Sequence, residues 1–196
     1  MRSTFCTVLL LATLCFGAEG ADAHVLVGAR AFREGDWARA LVEFRVALKL
    51  GAEPRVHWYE AAALARAERY EEAAAAFQRA SELAPEGQDA LFGYYRALAC
   101  FEAKLFACAL EVTTALERTA GPRVQTQLAA ISSETKQLLA TEPPRESVDT
   151  CFARAAQAPS PELRRLWLRE AEALASRRAD RHRLDEARRL LAPPNR

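Results

Sequence analysis

One spacing occurs three times in this chain and confines what it can fold into: Trp37-x-x-Ala40-x-x-x-Phe44-x-x-Ala47, then Tyr70-x-x-Ala73-x-x-x-Phe77-x-x-Ala80, then Phe106-x-x-Ala109-x-x-x-Thr113-x-x-Leu116. Offsets of 3, 7 and 10 place all four residues on one face of a helix, and the small alanine admits a partner helix at close range. A helix with such a face cannot bury it alone. Neighbouring units must stack, so the chain is expected to be an array of helical hairpins.

A second set of positions keeps the same register. Nine residues before each aromatic anchor stand Gly28, Ala61 and Ala97, small residues where paired helices must touch. The intervals agree: 70 − 37 and 61 − 28 both give 33, while 106 − 70 and 97 − 61 both give 36. This pattern resembles the tetratricopeptide repeat, whose period is about 34 residues. The second interval carries a small insertion around Pro85-Glu86-Gly87-Gln88. Repeat two matches best, with Leu83 and Pro85 at its helix end; repeat three departs at Thr113 and Leu116, and all three lack the family's first-helix tryptophan. The resemblance implies an all-α fold, a right-handed α-α superhelix of three clear repeats followed by degenerate C-terminal hairpins. It also implies protein binding without chemistry of its own.

Composition agrees with that class. The 196 residues are rich in Ala, Leu, Glu and Arg, and no stretch alternates as a half-buried strand does. With 27 basic and 26 acidic residues, the chain as a whole gives no case for nucleic acid. Helices are expected near 24–34, 37–50, 55–67, 70–84, 88–103 and 106–119. Gly121-Pro122 then breaks the pattern, a longer helix runs to Thr141 before Pro143-Pro144, and another spans about Glu146 to Gln157. Beyond Pro159-Ser160-Pro161, Ser160 is a candidate N-cap, and Leu163, Leu166, Trp167 and Leu174 line one helix face. Leu184, Ala187 and Leu191 mark a last helix before Pro193-Pro194. These helices are read as weakened hairpins that extend the array and cap it.

The first 23 residues stand apart. Arg2, the apolar run Phe5 to Phe16 and the small residues around Ala18-Glu19-Gly20 and Ala21-Asp22-Ala23 form a secretory signal pattern. The apolar run is too short to span a bilayer, which needs about 20 residues. Leu14 before Cys15 argues against a lipoprotein, since lipidation wants a small residue there. The expected organisation is a signal over 1–23, three repeats over 24–119 and additional helices over 120–196, with a periplasmic or secreted mature chain. Removing Cys6 and Cys15 leaves Cys100, Cys108 and Cys151. A bridge between Cys100 and Cys108 would staple one hairpin; the simpler reading, a small buried Cys100 beside idle thiols, is preferred. No histidine stands at ligand spacing from these cysteines, and no metal or cofactor is expected.

In this register the inner helices present positions i, i+4 and i+7 to a groove. These are Val25, Ala29 and Phe32; Trp58, Ala62 and Ala65; and Tyr94, Leu98 and Phe101. The candidate surface for a protein or peptide ligand is thus Phe32, Arg33, Trp58, Ala62, Ala65, Arg66, Tyr94, Leu98 and Phe101, with the charges of Arg33 and Arg66 unassigned. Aromatic and Arg side chains are enriched at binding hot spots. The family's clamp for acidic C-terminal tails is absent, because Val25, Ala29, Ala62 and Leu98 stand where Lys, Asn and Arg would be needed. No GxSxG, Gly-rich phosphate loop or HExxH occurs, the Glu71-Glu72 pair reads as solvated surface, and no catalytic residue is assigned. Residues 161–196 carry ten arginines and six acids, +4, against −3 for 21–160. Arginines from Arg164 to Arg189 offer an anionic partner or an envelope or lipid surface a second place to bind; the competing reading pairs them with Glu162, Glu170, Glu172, Asp185 and Glu186 on a solvated face.

Overall fold

The computed structural model describes residues 20–83, 89–141 and 147–192, which hold ten helices and are all-α. Helix α1 covers 20–34. It is followed by α2 (Trp37–Lys49), α3 (Val56–Arg66), α4 (Tyr70–Glu82), α5 (Asp89–Glu102), α6 (Phe106–Leu116), α7 (Pro122–Thr141), α8 (Val148–Gln157), α9 (Pro161–Arg177) and α10 (Arg181–Leu191). The signal pattern up to Glu19, the insertion at Pro85–Gln88, the breaks at Pro143-Pro144 and Pro193-Pro194, and the start at Glu146 lie outside the described residues. The chain divides into two compact units, one up to Arg69 and one from Tyr70 onward.

In the first unit, α1 and α2 meet where the small-residue spacing placed them. A Cβ added to Gly28 would lie 2.7 Å from a ring atom of Phe44, so any side chain there would force the helices apart. His24 Nδ1 and Glu43 Oε2, 2.6 Å apart, tie the same two helices. Helix α2 opens on Asp36, whose carboxylate accepts the Arg39 amide at 3.0 Å. Its anchors Ala40, Phe44 and Ala47 are buried, and α3, whose Ala61 and Leu64 are buried, packs against it. Arg45 Nε donates to the buried Glu60 carboxylate at 2.9 Å.

The turn that closes α1 recurs along the chain. Gly35, Glu68 and Lys104 all have positive φ, at 81°, 59° and 61°, and their spacing is again 33 (68 − 35) and 36 (104 − 68). Each turn returns the amide after the positive-φ residue to a carbonyl five residues back: Asp36 to Ala31, Arg69 to Leu64 and Leu105 to Cys100, all at 2.9 Å. Ala179, φ 55°, repeats the motif between α9 and α10, with Asp180 bonded back to Ala175. The degenerate C-terminal hairpin therefore keeps the turn of the repeat while losing its side-chain pattern.

In the second unit, α5 packs on α4 and α6, and α7 rests on α5 and α6. Gly93 faces Leu116 so closely that an added Cβ would lie 2.3 Å from its Cδ1. Thr113, standing where the earlier repeats have Phe, is buried and satisfies its hydroxyl on the Leu110 carbonyl at 3.1 Å. Helix α9 pairs with α8 and α10 as hairpins but returns to pack on α4 and α6. Leu163, Leu166, Trp167 and Leu174 are buried as their spacing predicts. Ser160 caps α9 through the Leu163 amide at 3.2 Å, with Pro161 in its first turn.

Two expectations are corrected here. Cys100 and Cys108 are bonded, with Cα atoms 5.9 Å apart, and among the described residues the remaining cysteine, Cys151, is outside any disulfide and buried. The α5–α6 hairpin brings the two together because Lys104 turns the chain in the left-handed region between them. Glu71 is not simply solvated: its carboxylate takes Arg154 of α8 at 3.0 Å, and that guanidinium lies over the Trp167 ring at 4.6 Å.

Candidate functional site

Six of the nine candidate residues fall in the first unit. Phe32 is half-buried at the end of α1, its ring meeting Trp37 edge-on at 5.0 Å. Arg66 lies over the same Trp37 ring at 5.2 Å, so its charge is committed within the hairpin array, contrary to the open assignment made from sequence. Arg33 is exposed and its Nε reaches the Ala29 carbonyl at 3.4 Å. Trp58 meets Tyr59 edge-on at 5.3 Å, and Ala62 and Ala65 are half-buried on the same α3 face.

The other three lie on α5. Tyr94, Leu98 and Phe101 recur at i, i+4 and i+7 and are all half-buried, while Ala97, Ala99 and Cys100 between them and Phe92 just before them are buried. Tyr94 tilts against Tyr95 at 5.2 Å, and Phe101 against Phe106 at 6.0 Å. These side chains are therefore partly packed and partly accessible.

The basic C-terminal helices are paired through Glu172 and Glu186 as the solvated-face reading expects, and Glu170 departs from it. Glu172 takes both Arg169, at 3.3 Å, and Arg188, at 3.1 Å; Arg183 pairs with Glu186 at 2.8 Å and with Asp149 of α8. Glu170 takes no arginine. It is 3% exposed and turned inward, where its carboxylate accepts the Cys108 amide at 2.9 Å and the Ala107 amide at 3.3 Å. Leu105, the N-cap of α6, offers no side-chain bond, so an acid 62 residues away in sequence serves instead (170 − 108). Burial raises the Glu170 carboxyl to about 7 against the opposing pull of the two amides and Arg177. Sequence reading missed this residue because an acid among arginines at helical spacing looks like one half of a surface pair. Only its place between Trp167 and Leu174 in a buried stripe hinted otherwise.

Among the described residues no group of three or more His, Cys, Asp or Glu side chains is placed to hold a metal ion, and no helix is long and apolar enough to cross a membrane. Neither the curated proteins nor the solved structures give a match to this chain. The family model described as Tetratricopeptide repeat matches residues 54–86, which include α3 and α4 and the second, best-kept copy of the spacing. With anchors and turns recurring at repeat intervals through an all-α fold, the match supports assignment of this segment to the tetratricopeptide-repeat family.

Proposed function

We propose that this chain is a non-catalytic scaffold of the cell envelope, exported by its N-terminal signal, which holds a protein or peptide on the aromatic faces of its inner helices. The observation that carries the reading is the α5 face of Tyr94, Leu98 and Phe101, apolar and half-buried at helical spacing beside fully buried neighbours. Trp58, Ala62 and Ala65 give α3 a face of the same kind, with small side chains that leave room for a ligand. Tetratricopeptide repeats generally mediate protein–protein interaction, and half-buried aromatic residues are the anchors such interfaces use.

Capture of the mature protein's partners from its own cell envelope, followed by mass spectrometry, tests the reading. A reproducible protein partner, lost in a folded Tyr94→Ala or Ala62→Arg variant, is the expected result. Turnover of a small molecule by the purified protein would overturn it. A second reading, an anionic partner held by α9 and α10, is favoured by Glu170 having left the surface, which removes one acid from the face that was to neutralise the arginines.

A further inference from the structure

At the open end of the last hairpin, the first turns of α9 and the last turn of α10 enclose a cleft of about 590 Å³. That is within the range of ligand pockets, roughly 300 to 1,000 Å³. Its walls are Pro161, Arg164, Arg165, Leu168, Leu190, Leu191 and Ala192. The floor is apolar: Leu168 is buried, Leu191 half-buried, and Leu190 exposed at 40%. Arg164 and Arg165 stand on the rim, and neither makes an ion pair among the described residues. Three acids of these helices are engaged elsewhere: Glu172 with Arg169 and Arg188, Glu186 with Arg183, and Glu170 with the α6 amides. Glu162 is the acid whose charge Arg165 meets. The N-terminal end of α9 adds its own positive potential to the rim.

We propose that this cleft takes an acidic peptide segment, which seats a large apolar side chain on Leu168, Leu190 and Leu191 while its carboxylates pair with Arg164 and Arg165. A carboxylate suits the fork of a guanidinium, and the apolar floor beside it demands a second feature of the ligand, a large hydrocarbon side chain one or two residues away. A membrane surface fits less well. The site is concave and walled on two sides, and among the described residues of α9 and α10 Leu190 is the exposed large apolar side chain, whereas insertion at an interface needs an apolar stripe. The proposal rests on the reading of the chain as a scaffold for proteins but not on the inner-helix faces, which are separate residues.

The test uses fluorescence anisotropy with a fluorescein-labelled peptide of alternating Glu and Leu, its Gln-for-Glu and Ala-for-Leu counterparts, and phosphatidylglycerol vesicles, each against the folded full mature chain. Binding of the acidic leucine peptide is expected, weakened about tenfold or more by either replacement and by the Arg164→Glu, Arg165→Glu double variant. Leu190→Asp is expected to act likewise, and Arg118→Glu, an exposed arginine outside the cleft, to bind as the parent does. Circular dichroism on each variant confirms that these exposed positions leave the fold intact. Equal binding of the Gln peptide, retention by the double variant, capture by vesicles without capture of the peptide, or binding of no probe would each overturn the proposal. Loss in Ala62→Arg with retention in the arginine variant would place the peptide on the inner helices, removing the cleft while leaving the scaffold reading in place.

Discussion

Phe44 of α2 stacks on Tyr59 of α3 with ring centroids 5.6 Å apart and planes 27° from parallel, and Phe77 of α4 stacks on Tyr95 of α5 at the same distance and 18°. The repeat's conserved geometry is therefore a ring pair between the second helix of one hairpin and the first helix of the next. Phe44 and Phe77 are fully or nearly fully buried, and a large-to-small change there removes both transfer energy and a stacked partner. Phe44→Ala and Phe77→Ala are each expected to lower stability by about 3 to 5 kcal/mol. Tyr94→Ala, next to the second pair but half exposed, is expected to cost far less. Urea melts of the three variants check the order.

Alanine is required where helices cross, so enlarging it tests the register directly. Ala73 has no exposed surface, and Ala73→Leu should cost about 1 to 3 kcal/mol by overpacking. Glu71, half-buried and paired with Arg154, is not the control that its sequence position suggested. Exposed Glu82 is, and Glu82→Leu should stay within about 0.5 kcal/mol. Thermal melts that rank the two alike would show the helix faces to be wrong.

The Cys100–Cys108 bond spans the turn at Lys104, and the Cys108 amide is one of those that Glu170 holds. With the leader removed, a thiol reagent under denaturing conditions should label Cys151 alone before reduction and all three cysteines after it. Closing a short loop is worth about 2 to 3 kcal/mol in the unfolded chain, so Cys100→Ser with Cys108→Ser should lower the melting midpoint measurably. Mass spectrometry that finds all three thiols free in oxidised, natively exported protein would refute the pairing.

Processing of the leader is expected on the N-terminal side of Ala21. That residue is buried at 1%, and α1 runs from 20 with His24 already bound to Glu43, so a cut at His24 would strip a packed turn. N-terminal sequencing of protein recovered from its host should read a start between Glu19 and Ala21. An intact Met1 would sink the export reading.

Much of the fold was legible because it is local. Ala40, Ala73 and Ala109 declare helix faces by spacing alone, and Gly28 declares a crossing by having no side chain. The boundaries at Trp37, Tyr70 and Phe106 follow from the same anchors. What stayed hidden is long-range. Nothing in the spacing of α9 says that it turns back to α4 and α6, because a stripe of Leu163, Leu166, Trp167 and Leu174 fits any apolar surface. Arg66 over Trp37 and Arg154 over Trp167 are invisible for a related reason: a guanidinium on a ring leaves no periodic trace. Lys104 and Glu68 conceal their turns as well, since a reader looks for glycine where φ is positive.

Glu170 supplies the last prediction, and its sign is fixed by burial. Its carboxyl sits at about 7 in the folded protein against an ordinary 4.5, with desolvation outweighing the two amide bonds from Cys108 and Ala107. An acid raised on folding favours the folded state below its unfolded value, and that contribution is lost as pH rises through the folded one. Stability from this group is therefore fully present below about pH 4.5 and gone above about pH 7, a swing of at most about 3 kcal/mol. Glu111, a like charge facing the group, deepens the loss at high pH, and Arg177 on the same helix moderates it. Glu170→Gln keeps the shape without the titration, so its denaturation midpoint should be flatter between these limits than the parent's. The two curves are expected to differ most in slope between pH 5 and pH 7. Parallel curves across that window would mean that the carboxyl titrates as it does in water, and that the inward turn of Glu170 onto the α6 amides does not persist in solution.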